Sequence, residues 1–166
     1  MGVTYASPLP LIAVLLPALA ALAVLVSRER YRNVRDSWST LTAIVMVAVI
    51  AAMLPEVLDG QVPQTTIVEI TPGINVALRA DAAGMIFALL ASSLWVLASV
   101  YAVGYMRAEH EHKQTRFFVA FALSIGAATG VAFAANLFTF VLFYELLTLF
   151  TYPLVTHRET DEAIRA

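Results

Sequence analysis

Residues 117–156 read FFVAFALSIGAATGVAFAANLFTFVLFYELLTLFTYPLVT, a stretch whose single charge is Glu145. A membrane-crossing helix needs about 20 mostly apolar residues, so this run is long enough for two. Ala134-Ala135-Asn136 divides it, which predicts spans over Phe117–Ala134 and Asn136–Thr156 joined by a tight antiparallel turn. Inside lipid the backbone must satisfy its own hydrogen bonds, and spans of this length do so as helices. The fold class is therefore an all-α membrane protein.

Outward from this pair, Ala82–Met106, Trp38–Leu54 and Leu9–Val26 carry no charge and complete a set of five expected spans. Leu9–Val26 has no basic residues before it and several after it, the reverse of a cleaved signal peptide, so it is expected to remain as a helix. Composition agrees. Of the 166 residues 60% are hydrophobic and 13% charged, with mean hydropathy +0.80. Ordinary soluble domains run at roughly 45–50% apolar and about 25% charged.

With no cysteine, the chain has no disulfides, thiolate zinc sites, iron–sulfur clusters or cysteine nucleophiles. Any redox chemistry would belong to a partner. A net charge of -2 without a basic tract gives no case for nucleic-acid binding. No cofactor and no metal site is expected. Glu109-His110-Glu111-His112 has metal-ligating side chains but reads as a hydrated loop.

Basic residues set the orientation, because cytoplasmic loops retain Lys and Arg. Arg28, Arg30, Arg32 and Arg35 follow the first span, Arg107, Lys113 and Arg116 follow the third, and Arg158 and Arg165 follow the fifth. All nine share one side, against Arg79 alone on the other, if the N-terminus lies outside. The expected location is the inner (cytoplasmic) membrane, as a multi-pass protein with lipid as its surroundings.

The chain divides into residues 1–54 with two spans, 55–81 as an outer loop, 82–156 with three spans, and 157–166 as a cytoplasmic tail. In the outer loop, Thr66–Ile70 and Ile74–Leu78 flank Thr71-Pro72-Gly73 and predict a short β-hairpin. Asp81 is expected to cap the third helix. In the tail, Thr160-Asp161-Glu162-Ala163 reads as the start of a further helix.

Glu145 carries the functional reading. It lies nine residues after Asn136, so it sits ~14 Å along its helix, near the middle of a ~30 Å hydrocarbon core. A carboxylate there costs at least ~2.5–3.5 kcal/mol and cannot snorkel to water, so it needs a proton, a cation or a wet cavity. Tyr144, Glu145, Thr148, Thr151 and Tyr152 fall within ~120° of helical arc, with Thr139 outside it. A polar stripe on an apolar helix points at protein or water. One reading is a proton carrier, with Thr148, Tyr152 and, at the inner end, His157 along its path. The other is a neutral Glu that bonds neighbouring helices. No Lys or Arg inside the five spans can partner it. Gly126 and Gly130, four apart, read as helix packing, as do Ser92, Ser93 and Ser99.

Several pieces occur in a telling order. They are Leu78-Arg79-Ala80-Asp81, Tyr101-Ala102-Val103-Gly104-Tyr105-Met106, Arg116-Phe117-Phe118, Ala135-Asn136-Leu137-Phe138, Phe143-Tyr144-Glu145-Leu146-Leu147 and Glu162-Ala163 with Ala166. This series resembles the proton-translocating subunits shared by respiratory complex I and the multisubunit (Mrp-type) cation/proton antiporters. The segment Thr151–His157 looks closer to the antiporters' D-type subunit than to the complex I versions. The resemblance covers chiefly residues 78–166. It implies a long helical bundle with inverted repeats and broken helices. It also implies that Glu145 matches a glutamate essential for proton movement, paired with a lysine on a later helix outside these residues. Tyr144 stands where many relatives have Trp, and Ala135 where many have Asp.

The resemblance further implies partners: other membrane subunits, protons, and the family's exchanged sodium or potassium. The chain corresponds to the lead-in helices of such a subunit. Either it is a fragment or a second polypeptide completes it; by itself it is expected neither to transport nor to act as an enzyme. There are two alternatives. One is the same subunit type in a complex I or membrane hydrogenase relative. The other is a non-conducting structural or assembly subunit.

Overall fold

The computed structural model describes residues 3–27, 32–108 and 114–155. The elements are β1 (Val3–Ala6), α1 (Leu9–Ser27), α2 (Arg32–Leu58), β2 (Gln61–Thr71), β3 (Ile74–Arg79), α3 (Ala82–Ala108), α4 (Gln114–Ala132) and α5 (Leu137–Val155). All five helices are long and apolar enough to cross a membrane. His157, the Glu109–His112 cluster and the helix start at Thr160 lie outside the described residues.

Four helices follow the expected spans to within a turn. The second differs: α2 begins at Arg32, not Trp38, and runs on through Pro55 to Leu58. Arg35 and Asp36 account for the early start. As neighbours they neutralise each other, so the charged segment joins the helix instead of forming the loop expected from its arginines. At the other end Gly60, with φ +81°, adopts the left-handed conformation that terminates a helix.

The helices pack through seams legible in their spacing. Ser39, Thr42, Met46, Ile50 and Met53 of α2 are buried, as are Met85, Ala88, Ser92, Trp95 and Ser99 of α3. Both sets recur every three or four residues, the period of one helix face. The Ser39 and Ser99 hydroxyls bond at 3.2 Å and register the two antiparallel helices. Ser92 and Ser99 thus sit in packing positions as expected, whereas Ser93 is exposed.

Gly126 and Gly130 serve different neighbours. A Cβ on Gly126 would lie 3.1 Å from the Val14 carbonyl of α1. A Cβ on Gly130 would lie 2.2 Å from the Phe143 ring of α5. Consequently α4 is held between α1 and α5 by close approach on two sides.

The segment between α2 and α3 holds more than a hairpin. β2 and β3 pair antiparallel around Gly73, whose φ is +90°. β1 adds a parallel edge strand along Gln61–Gln64, making a three-stranded sheet in the order β1-β2-β3. Four residues paired with a segment more than fifty residues away leave no local signal, which is why the sequence shows only the hairpin. Tyr5 then donates to Glu56 Oε2 and ties the sheet to the end of α2.

Candidate functional site

The helix carrying Glu145 is tied to the sheet at its first turn. The Asn136 Oδ1 accepts the Thr139 backbone N–H at 2.8 Å, a side-chain cap at the start of α5. The Asn136 Nδ2 donates to both the backbone oxygen and the Oδ1 of Asn75, each at 2.9 Å. The Ala77 N–H donates to the Thr139 Oγ1 at 3.0 Å, and the Ala135 N–H to the Ala77 carbonyl at 3.0 Å. The Arg79 N–H donates to the Phe133 carbonyl, two residues before Ala135. In this way β3 pairs along the α4–α5 corner, and Leu78 forms a bridge with Ala134. Thr139 is fully buried and is the only buried residue of α5 among those described.

Glu145 is the ninth of the 19 residues of α5, about 12 Å from Leu137 at 1.5 Å per residue. It is exposed at the surface of the five-helix unit. Tyr144, Thr148 and Tyr152 are exposed beside it, Tyr152 at 61%. The expected polar stripe is therefore present and uncovered, while Thr139, outside the stripe, points into the protein.

The Thr148 hydroxyl bonds the Tyr144 carbonyl at 3.1 Å, and the Thr151 hydroxyl bonds the Leu147 carbonyl at 2.9 Å. Such back-bonding satisfies the hydroxyl protons within the helix and leaves the oxygens able to accept another bond. The Tyr144 ring stacks on Phe140 with centroids 6.1 Å apart. On the opposite side Phe143 fills the space left by Gly130, so α5 grips α4 with one face and presents Glu145 from another.

At the third helix, Asp81 Oδ1 accepts the Gly84 N–H at 2.9 Å, the expected cap. Gly84 lets α3 approach the end of α4, because a Cβ there would lie 2.5 Å from the Ala132 carbonyl oxygen.

Sequence reasoning placed Arg35 in a loop. Instead it is fully buried in the first turns of α2. Its Nε and Nη2 donate to Asp36 Oδ1 at 2.9 and 2.8 Å, and Nη2 also reaches Gln114 Oε1 at 2.7 Å. The guanidinium carbon lies 5.3 Å from the Phe118 ring centroid. This cluster joins α2 to the start of α4. The adjacent opposite charges were the available signal. The hook formed by Asn75, Asn136 and Thr139 was also missed, although an Asn directly before an apolar helical run is an N-cap signature.

Comparison with known proteins follows the same outline. The family described as NADH-ubiquinone oxidoreductase (complex I), chain 5 N-terminus, matches residues 70–118. The A/B-type subunit of a probable K(+)/H(+) antiporter of Rhizobium meliloti is 28% identical over 154 residues, covering 92% of this chain and 15% of that protein. The A1 subunit of a Staphylococcus aureus Na(+)/H(+) antiporter is 26% identical over 156 residues, covering 92% of this chain and 19% of that protein.

The chain thus spans under a quarter of the length of these relatives. In fold it resembles a chain of the membrane-bound sulfane sulfur reductase, an archaeal respiratory membrane complex. The TM-score is 0.72 at 19% identity, over 87% of this chain and 22% of that one. The D-type likeness is corrected by these findings. It rested on the seven residues 151–157, whereas similarity over nearly the whole chain leads to A-type and A/B-type subunits.

Proposed function

We propose that this chain, which resembles the N-terminal portion of the antiporter-like subunits found in cation/proton antiporters and respiratory membrane complexes, is part of a proton-conducting subunit. In this reading the complex exchanges a monovalent cation, sodium or potassium, for protons. The two named relatives, one from a K+/H+ and one from an Na+/H+ antiporter, support that choice. The observation that carries it is the exposed stripe of Glu145, Thr148 and Tyr152 on an otherwise apolar helix of membrane-spanning length.

Glu145 takes and releases the proton near the middle of the membrane. The Thr148 and Tyr152 hydroxyls extend the path toward the end of α5, and His157 passes protons at the face that carries the basic loops. That face is cytoplasmic, and the N-terminus is outside. The remaining path, with its lysine, comes from polypeptide that covers the stripe, whether in the same chain or another subunit. The complex I description of residues 70–118 supports a second reading, in which the same subunit type sits in a redox-driven complex.

Everted membrane vesicles separate the two. Respiration builds a pH gradient, and added NaCl or KCl then dissipates it through an antiporter. The antiporter reading expects that dissipation to vanish when the gene is deleted, with respiratory proton pumping unchanged. Loss of donor-driven pumping, with cation-induced dissipation unaltered, would support the redox-driven complex instead.

A further inference from the structure

Pro153 lies inside α5, with helix on both sides of it. Proline has no backbone N–H, so the Leu149 carbonyl loses the donor that would stand four residues on. In a membrane-spanning helix such a carbonyl is met by a hydroxyl of its own segment, by a local shift in the helix, by a neighbouring helix or by water. The two threonine hydroxyls at hand are directed elsewhere. Thr148 donates to the Tyr144 carbonyl at 3.1 Å, and Thr151 reaches the Leu147 and Thr148 carbonyls at 2.9 and 3.1 Å. Leu149 is 64% exposed, on the open side of α5 rather than against a neighbouring helix. It follows Glu145 by four residues, which puts the freed acceptor on the same face and about 6 Å further along the axis. Pro17 in α1 and Pro55 in α2 free the carbonyls of Ala13 and Ala51 in the same way, but neither has an acid one turn before it.

We infer that Pro153 is a positioning residue for proton transfer: by keeping the Leu149 carbonyl open it seats water one turn from Glu145, and that water is the next proton acceptor. This rests on the reading of Glu145 as a proton carrier. In the step, the protonated Glu145 carboxyl gives its proton to the water, leaving a carboxylate and a hydronium ion. The hydronium donates a hydrogen bond to the Leu149 carbonyl oxygen and hands another of its protons to the next group on the path, which restores the water. Uptake runs through the same states in reverse. A backbone carbonyl suits this place because it only accepts hydrogen bonds, so it holds the hydronium without taking the proton. Its oxygen points toward the C-terminal end of the helix, where the aligned peptide dipoles favour positive charge. The gap of about one turn is also the right size, since two hydrogen bonds of ~2.8 Å through one water span nearly 6 Å.

The test separates the open carbonyl from the proline ring. Pro153→Ala returns an N–H to position 153 and closes the Leu149 carbonyl. An α-hydroxy acid at position 153, introduced by nonsense suppression, puts an ester oxygen where that N–H would be, so the carbonyl stays open although the ring is gone. Both are assayed in everted vesicles as the assembled complex, beside Glu145→Gln. Pro153→Ala should lower cation-induced proton flux at least fivefold at wild-type amounts of complex, and the ester should restore at least half of it. Unchanged flux in Pro153→Ala would overturn the inference. Equal loss in both replacements would overturn it too, because the packing of the ring would then be what matters. In either case lost flux in Glu145→Gln leaves the proton-carrier reading standing. Full flux in Glu145→Gln would overturn that reading and this inference together.

Discussion

Arg35 and Asp36 show what a buried charge requires of its neighbours. Their side chains are 1% and 5% exposed, and the guanidinium is met by a carboxylate, an amide oxygen and an aromatic face. Removing one member of such a pair leaves an uncompensated buried charge and costs about 3–5 kcal/mol. Arg35→Ala or Asp36→Ala should therefore lower unfolding stability by roughly that amount, measured by denaturant unfolding in detergent micelles. The double change Arg35→Met with Asp36→Leu should cost clearly less than either single one.

At this scale the sequence was partly legible. Glu145 stands out because a lone acid in an apolar run is expensive, and Asp81 because its capping bond is local. Arg35 did not stand out, because a basic residue beside a span reads as loop until its partner on another helix, Gln114, is known.

At the scale of elements, the three-stranded sheet and α5 form one unit. The sequence predicts the hairpin strands from their alternation and the turn from its Pro-Gly. It does not show that β3 continues its pairing onto residues 133–136, since no local pattern records a contact between segments some sixty residues apart. That contact orients the helix bearing Glu145 from its N-terminal end.

Two substitutions probe it. Asn136→Ala removes the cap of α5 and both bonds to Asn75, and a cap alone is worth about 0.5–2 kcal/mol. Thr139→Val leaves the Ala77 N–H without its acceptor in a buried place, a cost of about 1–3 kcal/mol. In both variants, hydrogen exchange followed by mass spectrometry should accelerate at residues 75–79 and in the first turn of α5. Exchange in α2 and α3 should stay at the wild-type rate. Uniform acceleration through all five helices would contradict a local hook.

At the scale of the whole molecule, composition and apolar run length were enough for the five-helix plan, because lipid imposes the same rule on every span. Which face of α5 is covered was not legible from periodicity alone. A polar stripe says that a helix face avoids lipid, but not which polypeptide meets it. Orientation is open to a clean measurement, since the chain has no cysteine to give background labelling. With the basic loops in the cytoplasm, Glu69→Cys in the outer sheet should react in intact cells with a membrane-impermeant maleimide. Lys113→Cys should react only after the membrane is opened. The reverse pattern would invert the topology.

Whether Glu145 carries protons is tested most directly by its neutral isostere. Gln keeps the size and hydrogen-bonding capacity of the side chain but cannot exchange a proton at neutral pH. Everted vesicles containing the assembled complex with Glu145→Gln should show cation-induced proton flux reduced at least tenfold, with wild-type amounts of complex in the membrane. Glu145→Asp should retain part of the flux. Full flux with Glu145→Gln would rule out Glu145 as a proton carrier and leave it as a bond between helices.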